Sequence, residues 1–342
     1  MPKMPKPVQV EVVLSNNESL PAVDAWLVVD VLRASTVIVN WFAAGGGELY
    51  PTDSVVSARS LAKRLRRKGT PLVLMGEQNA VAPKGFDLGN SPLEITETLV
   101  QENPCAVMAT TNGTVAILKA ASTGVPVFIA CARNALAALS AAISKGSSIG
   151  ILCSGREGRP AWDDTLCAGL MVNQLIEHFS DVQLSEGAKL ALLAWKSAEN
   201  FKSSLKSAEH AIFLERIGFG DDVSFAGEIN ATRVVPELCE YPYSSTIRAV
   251  LKPAILDEQT FLTKSEPENE PLLSPINIER HDNMQYPVVF LAAEPFDTRQ
   301  EEDFLRRLPG VISASTEKIF FAGVKYKKPR KTKLSRYDRS QR

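Results

Sequence analysis

The chain has 342 residues, of which 45% are hydrophobic and 23% are charged. This composition is typical of a soluble globular protein with room for one large domain or two ordinary ones. The formal net charge of −1 divides unevenly, because the tail from Lys325 carries nine Lys or Arg and one Asp, leaving about −9 on the rest. An acidic body argues against broad nucleic-acid binding, so an anionic ligand would need local cations, backbone amides or a metal ion.

The N-terminus and the cysteines indicate a cytoplasmic protein. Residues 1–7 are rich in Pro and Lys, and the apolar run after them is broken at residues 15–18, so no signal peptide is predicted. No apolar stretch reaches the roughly 18 residues of a transmembrane helix. The five cysteines are scattered without a CxxC pair, which favours reduced core thiols over disulfides.

Short apolar runs alternate with amphipathic stretches, which predicts strands alternating with helices. The predicted strands cover residues 8–14, 25–32, 72–75, 106–109, 126–130 and 148–153. The predicted helices cover residues 35–44, 55–68, 113–121, 134–144 and 164–179, with more helix between 187 and 215. Continuous apolar strands between helices are typical of a largely parallel or mixed sheet covered on both faces. We therefore predict a three-layer α/β/α fold.

The domain division follows from the loss of this pattern after residue 240. Residues 1–240 form the predicted main domain, and residues 241–285 form a predicted linker with a Pro/Glu-rich composition. A short strand–helix–strand pattern at residues 286–324 predicts a small αβ extension. The basic tail at residues 325–342 is expected to be disordered.

Four segments place polar, Gly and charged residues just past the carboxyl ends of predicted strands, where ligands bind in open α/β sheets. The first contains Asp30 at the end of an apolar run, followed by Arg33. Ser35 and Thr36 suit the start of a helix, whose free amides attract anions. Taken alone, this segment fits a capped helix equally well.

The second segment begins with Glu77, whose carboxylate is expected to point into the same crevice as Asp30. Further along it, Asn90 and Ser91 precede Pro92, which favours the first turn of a helix. A Gly/Pro/Asn-rich surface loop is the alternative interpretation of this segment.

The third segment contains Thr111, Asn112, Gly113 and Thr114 at a predicted strand-to-helix turn. Hydroxyls, a flexible glycine and exposed amides can cradle phosphate oxygens. The segment lacks the lysine of a P-loop, so ATP binding is not predicted.

The fourth segment contains Ser154, Gly155 and Arg156, with Asp163 and Asp164 before the next predicted helix. Adjacent carboxylates at a helix start could hold Mg²⁺, although Asp164 could equally cap the helix. Cys153 and Arg159 have the spacing of the CxxxxxR loop of cysteine-dependent phosphatases. Because Arg156 and Glu157 are wrong for that loop, a thiolate nucleophile is not predicted.

In this order, the four segments resemble the 2-phosphosulfolactate phosphatase family. The matching strings are DVLRAST, GE, GFDLGNSP, TTNGT and CSGREG with a following D and AG, and the resemblance covers residues 8–238. It implies a three-layer α/β/α fold and Mg²⁺-dependent hydrolysis of 2-phospho-3-sulfolactate to 3-sulfolactate and phosphate. That step belongs to coenzyme M biosynthesis or to sulfolactate formation in bacteria.

The residues and the resemblance together give a working hypothesis for the site. The metal ligands are Asp30, Glu77 and Asp164, and the catalytic residues are Asp30, Arg33 and Asn112. The substrate-binding residues are Ser35, Thr36, Asn90, Ser91, Thr111, Gly113, Thr114, Ser154, Gly155 and Arg156. Whether water or Asp30 attacks the phosphorus is left open.

Three positions depart from the family's pattern: Val37 where Thr is expected, Val115 where Arg is expected, and Asp163 where Glu is expected. The loss of an arginine at residue 115 removes an anion contact and bears on the preference for a sulfonate. One alternative is therefore a phosphatase of the same scaffold acting on another small phosphorylated hydroxy acid. Another is a non-catalytic binding protein. The expected partner is a small anionic phosphoester, and homo-oligomerisation is left open.

Overall fold

The computed structural model describes residues 7–240 and 249–254, together with the backbone of some short strands beyond residue 273. The chain divides into two compact units, residues 1–264 and 265–342.

A sheet of ten strands forms the centre of the first unit. Its strands are β1 Val8–Val13, β2 Ala25–Val29, β3 Glu48–Thr52, β4 Leu72–Gly76, β5 Cys105–Ala109, β6 Val127–Ala130, β7 Ser148–Cys153, β8 Val182–Leu184, β9 Pro236–Glu240 and β10 Ala249–Pro253. The order across the sheet is β4-β5-β3-β10-β9-β6-β2-β7-β1-β8. Two parallel blocks, β4-β5-β3 and β6-β2-β7-β1-β8, are joined through the antiparallel strands β9 and β10.

Helices cover both faces of this sheet. They are α1 Ala34–Ala43, α2 Val55–Arg67, α3 Glu97–Glu102, α4 Gly113–Ala121, α5 Ala135–Ile143, α6 Trp162–His178, α7 Glu186–Ser197, α8 Phe201–Lys206, α9 Glu209–Arg216 and α10 Gly220–Ala226. Successive side chains of a strand point to opposite faces. Accordingly, Leu27 and Val29 of β2 pack in one core with α5 and α6, and Trp26 and Val28 pack in another with α1 and α4. This arrangement confirms the predicted three-layer α/β/α fold.

Strand β3 was not predicted, and Pro51 explains why. Proline has no backbone N–H to donate and therefore argues against a strand in the interior of a sheet. Here Pro51 lies between Tyr50 and Thr52 in a strand that pairs with β5 on one side and with β10 on the other.

The main sheet also extends past residue 240, where the sequence predicts a linker. Strand β10 lies between β3 and β9, and its residues Val250 and Leu251 are buried. The prediction of a linker is therefore wrong for residues 249–253. A five-residue run that contains Lys252 and Pro253 is too short to show a periodicity. The rest of residues 241–285 lies outside the described residues, apart from two short strands.

The second unit contains short antiparallel strands. Strands β12 Glu279–Arg280, β14 Val311–Ala314, β15 Lys318–Phe321 and β16 Val324–Lys327 form a sheet in the order β12-β16-β15-β14. Strands β11 Ser274–Pro275 and β13 Leu291–Ala292 pair with each other. The helix predicted within residues 286–324 and the tail beyond Lys327 lie outside the described residues, so these parts of the domain division stay predictions.

In the described residues, no helix combines the length and the apolar character needed to cross a membrane.

A pair of truncations tests the role of β10. A chain that ends at Glu240 loses the strand that joins β3 to β9 and exposes the ladder groups of both neighbours. It also loses the burial of Val250 and Leu251, each worth about 1.5 to 3 kcal/mol. We expect it to unfold at a markedly lower temperature than a chain that ends at Lys264, as measured by circular dichroism. Equal melting temperatures would show that the sheet does not need β10.

Candidate active site

The four predicted segments meet at a cavity of about 250 Å³ in the first unit. Asp30 follows β2, Glu77 follows β4, Thr111 lies two residues after β5, and Ser154 follows β7. All four residues line the cavity. As expected, the residues that follow these four strands lie at one crevice.

Helices rather than one continuous sheet edge bring these segments together. Helix α4 contacts β2, β6 and β7 of one parallel block and β3 of the other. At its first residue, a Cβ on Gly113 would lie 2.5 Å from Asp30 Oδ2 and 2.5 Å from Ala34 Cβ. Only glycine fits this approach, so the start of α4 packs directly against Asp30 and the start of α1.

Asp30 is buried at the point where β2 gives way to α1. Its Oδ1 accepts hydrogen bonds from the amides of Arg33 (3.2 Å) and Ala34 (3.4 Å). Burial raises the pKa of Asp30 to about 6, the hydrogen bond from Ser154 opposes this rise, and the charge of Glu77 adds to it.

Asp164, at the start of α6, ties two loops together. Its Oδ1 accepts the amide of Val31 (2.9 Å), and its Oδ2 accepts the amide of Gly155 (3.0 Å) and the hydroxyl of Ser154 (3.1 Å). Burial raises the pKa of Asp164 well above its usual range, and the charges of Asp163 and Asp30 add to this. Both oxygens of Asp164 are therefore used to join the ends of β2 and β7.

The neighbouring Asp163 is also buried and lines the cavity. Burial and then the charge of Asp30 raise its pKa to about 7. Its Oδ2 lies 4.0 Å from Nδ1 of His210. Burial, and then the charges of Arg156 and Arg33, lower the pKa of His210 to about 4, so this imidazole is neutral at pH 7.

Glu77 connects the loops after β4 and β5. Its Oε1 accepts the amide of Thr111 (2.7 Å), and its Oε2 accepts the amide of Ala80 (2.8 Å). Asn79 and Ala80 have φ angles of 55° and 64°, in the left-handed region that disfavours most side chains. The hydrogen bond from Ala80 to Glu77 thus helps to hold a strained turn beside the cavity.

Two arginines supply the positive charge of the cavity. Arg33 is buried, and its Nη2 donates to the carbonyl of Ala80 (2.6 Å). Arg156 lies with its Cζ 5.6 Å from the ring centroid of Phe213. Two buried polar atoms in the lining, Arg33 Nε and Asn90 Oδ1, have no hydrogen-bond partner in the described part of the chain. Such atoms are costly to leave unpaired, and both belong to residues at the cavity wall.

The cavity contains most of the predicted site residues but not all. Those in its lining are Asp30, Arg33, Glu77, Asn90, Thr111, Asn112, Ser154, Gly155, Arg156 and Asp164. As far as the structure describes the lining, it leaves out Ser35, Thr36, Ser91, Gly113 and Thr114. The hydroxyls among these five make internal hydrogen bonds: Ser35 Oγ accepts the amide of Asp30, and Thr114 Oγ1 accepts the amide of Thr110.

Sequence reasoning missed the contribution of α9. His210 and Phe213 from this helix line the cavity, although they lie more than 45 residues beyond the last predicted segment. No motif marks them, and a histidine in a helix would by itself be read as an ordinary partly buried residue.

The cysteine that ends β7 is not available as a nucleophile. Cys153 is fully buried, and burial, followed by the charge of Asp164, raises its pKa well above the usual range. Since the thiolate is the reactive form, the structure agrees with the prediction against a cysteine-dependent mechanism.

The carboxylates of the cavity can supply only part of the ligand shell of a hard cation such as Mg²⁺. Among the described residues, no three His, Cys, Asp or Glu side chains are arranged to hold a metal ion. Mg²⁺, however, usually takes one or two carboxylates and completes its shell with water and substrate oxygens. Hydrogen bonds occupy both oxygens of Glu77 and of Asp164, which leaves Asp30 and Asp163 as the better placed pair.

The raised pKa of Asp30 predicts that this residue destabilises the metal-free fold. An unfolded Asp ionises near pH 3.9, whereas Asp30 ionises at about 6 in the fold. The penalty is absent below about pH 4, grows up to about pH 6 and stays constant above it. We expect Asp30→Asn to raise the free energy of unfolding at pH 7.5 in EDTA by roughly 1 to 3 kcal/mol, measured by urea denaturation.

Asp181 is exposed, so Asp181→Asn is the matched control. It should change the free energy of unfolding little. The stabilisation by Asp30→Asn should shrink at pH 4. A destabilised Asp30→Asn protein at pH 7.5, or an equal effect at both pH values, would contradict this account of the buried carboxylate.

Comparisons with known proteins cover the same part of the chain. The family model described as 2-phosphosulpholactate phosphatase matches residues 12–241. The chain is 36% identical over 217 residues to a probable 2-phosphosulfolactate phosphatase of Deinococcus radiodurans, covering 63% of this chain and 88% of the relative. It is 35% identical over 232 residues to a protein of the same name from Thermus thermophilus, covering 68% and 94%. A third protein of that name, from Pseudothermotoga lettingae, is 34% identical over 216 residues, covering 63% and 89%. The chain therefore belongs to the 2-phosphosulpholactate phosphatase family.

Proposed function

We propose that this chain is a phosphatase that hydrolyses 2-phospho-3-sulfolactate to 3-sulfolactate and phosphate, and that the reaction depends on Mg²⁺. The observation that carries the proposal is the cavity, where buried carboxylates lie beside two arginines and two unpartnered buried polar atoms. The family match supports it, because residues 12–241 include every described residue of the lining.

The arginines suit a substrate with more than one anionic group. Arg33 and Arg156 come from different loops and are placed by different aromatic rings, Phe219 and Phe213. Guanidinium groups bind phosphate, sulfonate and carboxylate oxygens through charge-assisted hydrogen bonds. Two separate guanidinium groups can therefore hold the phosphate and a second anion of one small molecule.

Asp30 is the residue best placed to act on phosphorus. The amides of Arg33 and Ala34 fix one of its oxygens, and its carboxylate lines the cavity. It either attacks phosphorus directly or takes a proton from the attacking water. In the first case an aspartyl phosphate forms as the ester bond breaks, and water later releases phosphate from it. In both cases the ester bond to 3-sulfolactate breaks, and the leaving oxygen takes a proton from water. Neutral His210 lies beside Asp163, with Nδ1 4.0 Å from Oδ2 of that carboxylate.

Asp30 and Asp163 would hold the metal ion. When bound, Mg²⁺ would offset their charge and stabilise the charge that develops on the phosphate oxygens. Without a cation, each carboxylate–phosphate pair at about 4 Å is repulsive by on the order of 4 kcal/mol.

The departure at residue 115 has less bearing on substrate choice than the sequence indicates. Val115 is 38% exposed and is absent from the cavity lining among the described residues. The positive charge of the lining therefore comes from other residues. This observation removes the argument from residue 115 against a sulfonate substrate.

A substrate panel tests the proposed reaction and its metal dependence. We expect phosphate release from 2-phospho-3-sulfolactate with Mg²⁺ to exceed that from 2-phospholactate, which lacks the sulfonate, by at least about tenfold in kcat/KM, or about 1.4 kcal/mol. EDTA should remove the activity, and Mg²⁺ should restore it. Full activity in EDTA with no metal found by elemental analysis would rule out the metal, and a preference for 2-phospholactate would favour the alternative substrate.

Asp30→Asn tests the central residue. The substitution keeps the shape of the side chain and removes its charge, so we expect turnover to fall below a tenth of the wild-type kcat, which corresponds to a barrier higher by about 1.4 kcal/mol or more. Asp181→Asn again serves as the control. An Asp30→Asn protein that retains more than a tenth of the activity shows that Asp30 neither attacks nor binds the metal.

A further inference from the structure

The buried guanidinium of Arg33 is held on several sides. Its Nη2 donates to the carbonyl of Ala80, and its Nη1 lies 3.5 Å from Asp222 Oδ2. Its Cζ lies 4.8 Å from the centroid of the Phe219 ring. The Nε group has no partner in the part of the chain that the structure describes, and Arg33 lines the cavity.

Asp222 approaches Arg33 from outside the cavity. It is 2% exposed, lies in α10, and is absent from the described lining. Its Oδ1 accepts the hydroxyl of Ser91 (2.6 Å), which leaves Oδ2 for Arg33. Burial raises the pKa of Asp222, while the Ser91 hydrogen bond and then the Arg33 charge oppose the rise.

These contacts fix the orientation of a planar group. Because the guanidinium is a rigid plane, contacts at Nη1, at Nη2 and on one of its faces fix the orientation of the whole group. We propose that Asp222 is a positioning residue of the active site, which holds the Arg33 guanidinium at the cavity wall in the orientation that attracts the substrate's anionic group. The proposal rests on the proposed function.

The charges near Arg33 explain why the loss of Asp222 would matter. After Asp222, the next acidic group acting on Arg33 is Glu77, which lines the cavity. A buried cation that loses its counter-ion is strongly unfavourable. Without Asp222, the guanidinium is therefore expected to turn toward the cavity carboxylates and away from the orientation that binds an anion.

A double-mutant cycle on the full-length protein tests this assignment. Asp222→Asn should lower kcat/KM for phosphate release about 100-fold, the scale associated with a displacement of about 1 Å in an active site. It should also weaken the binding of orthophosphate, measured by calorimetry, at least about tenfold. In the Arg33→Gln background, Asp222→Asn should change orthophosphate binding and kcat/KM by less than about threefold, because no cation is left at residue 33 for Asp222 to hold.

Asp221→Asn is the matched control, since it makes the same charge change at the exposed neighbouring position of α10, and it should stay within about twofold of wild type. The inference is overturned if Asp222→Asn stays within about threefold of wild type. It is also overturned if Asp222→Asn has the same effect in both backgrounds, which would indicate a general structural role.

Two further measurements keep the outcome decisive. If Asp222→Asn does not fold by circular dichroism, Ser91→Ala takes its place. It removes the hydrogen bond that orients Asp222, together with the bond that Ser91 Oγ accepts from the amide of Leu93, so Leu93→Pro, which removes the second bond alone, is its control. Orthophosphate binding weakened about threefold or more by Ser91→Ala supports the inference, and unchanged binding overturns it.

If wild type releases no phosphate from 2-phospho-3-sulfolactate, the proposed function is wrong, and the orthophosphate measurements alone decide the role of Asp222. Wild type that binds no orthophosphate overturns the inference.

Discussion

The burial of three carboxylates at one place is the constraint on which the site depends. Asp30, Asp163 and Asp164 are each less than a tenth exposed, and two like charges about 4 Å apart repel by on the order of 4 kcal/mol at an effective dielectric constant of 20. The two arginines of the cavity do not balance this charge fully, because Arg33 is already paired with Asp222. Perturbed carboxylates that the fold leaves uncompensated are typical of functional sites, where a cationic ligand or a proton completes the charge.

The acidic residues of the cavity divide into two groups by their hydrogen bonds. Asp164 and Glu77 use their oxygens to join loops, the first between the ends of β2 and β7 and the second between those of β4 and β5. Asp30 also accepts two backbone amides, but both come from its own loop, so these bonds join no distant segments, and Asp30 is left for chemistry with Asp163. A carboxylate that accepts backbone amides from two different loops positions the site, even where its sequence context resembles that of a metal ligand.

The sequence predicts the local features of this molecule well and its long-range features poorly. The strand ends at Asp30, Glu77 and Ser154 are recognisable because an apolar run stops at a polar residue, and the structure places all three in the cavity. His210 and Asp222 could not be found this way, because their contacts with Asp163 and Arg33 join distant parts of the chain, 189 residues apart in the case of Arg33 and Asp222. Helix capping and ligand binding also use the same residue types, so Ser35 and Thr114 could not be separated from true lining residues.

The glycine of the TTNGT string shows how packing and chemistry meet at this site. The sequence suggests that Gly113 gives a phosphate-binding loop its flexibility, but in the structure it is the residue that lets α4 approach Asp30 and Ala34. Since α4 contacts strands of both parallel blocks, this approach brings Thr111 and Asn112 from one block to Asp30 from the other. The site therefore depends on close packing between the starts of α1 and α4, and a side chain at residue 113 would separate its two halves without touching the substrate.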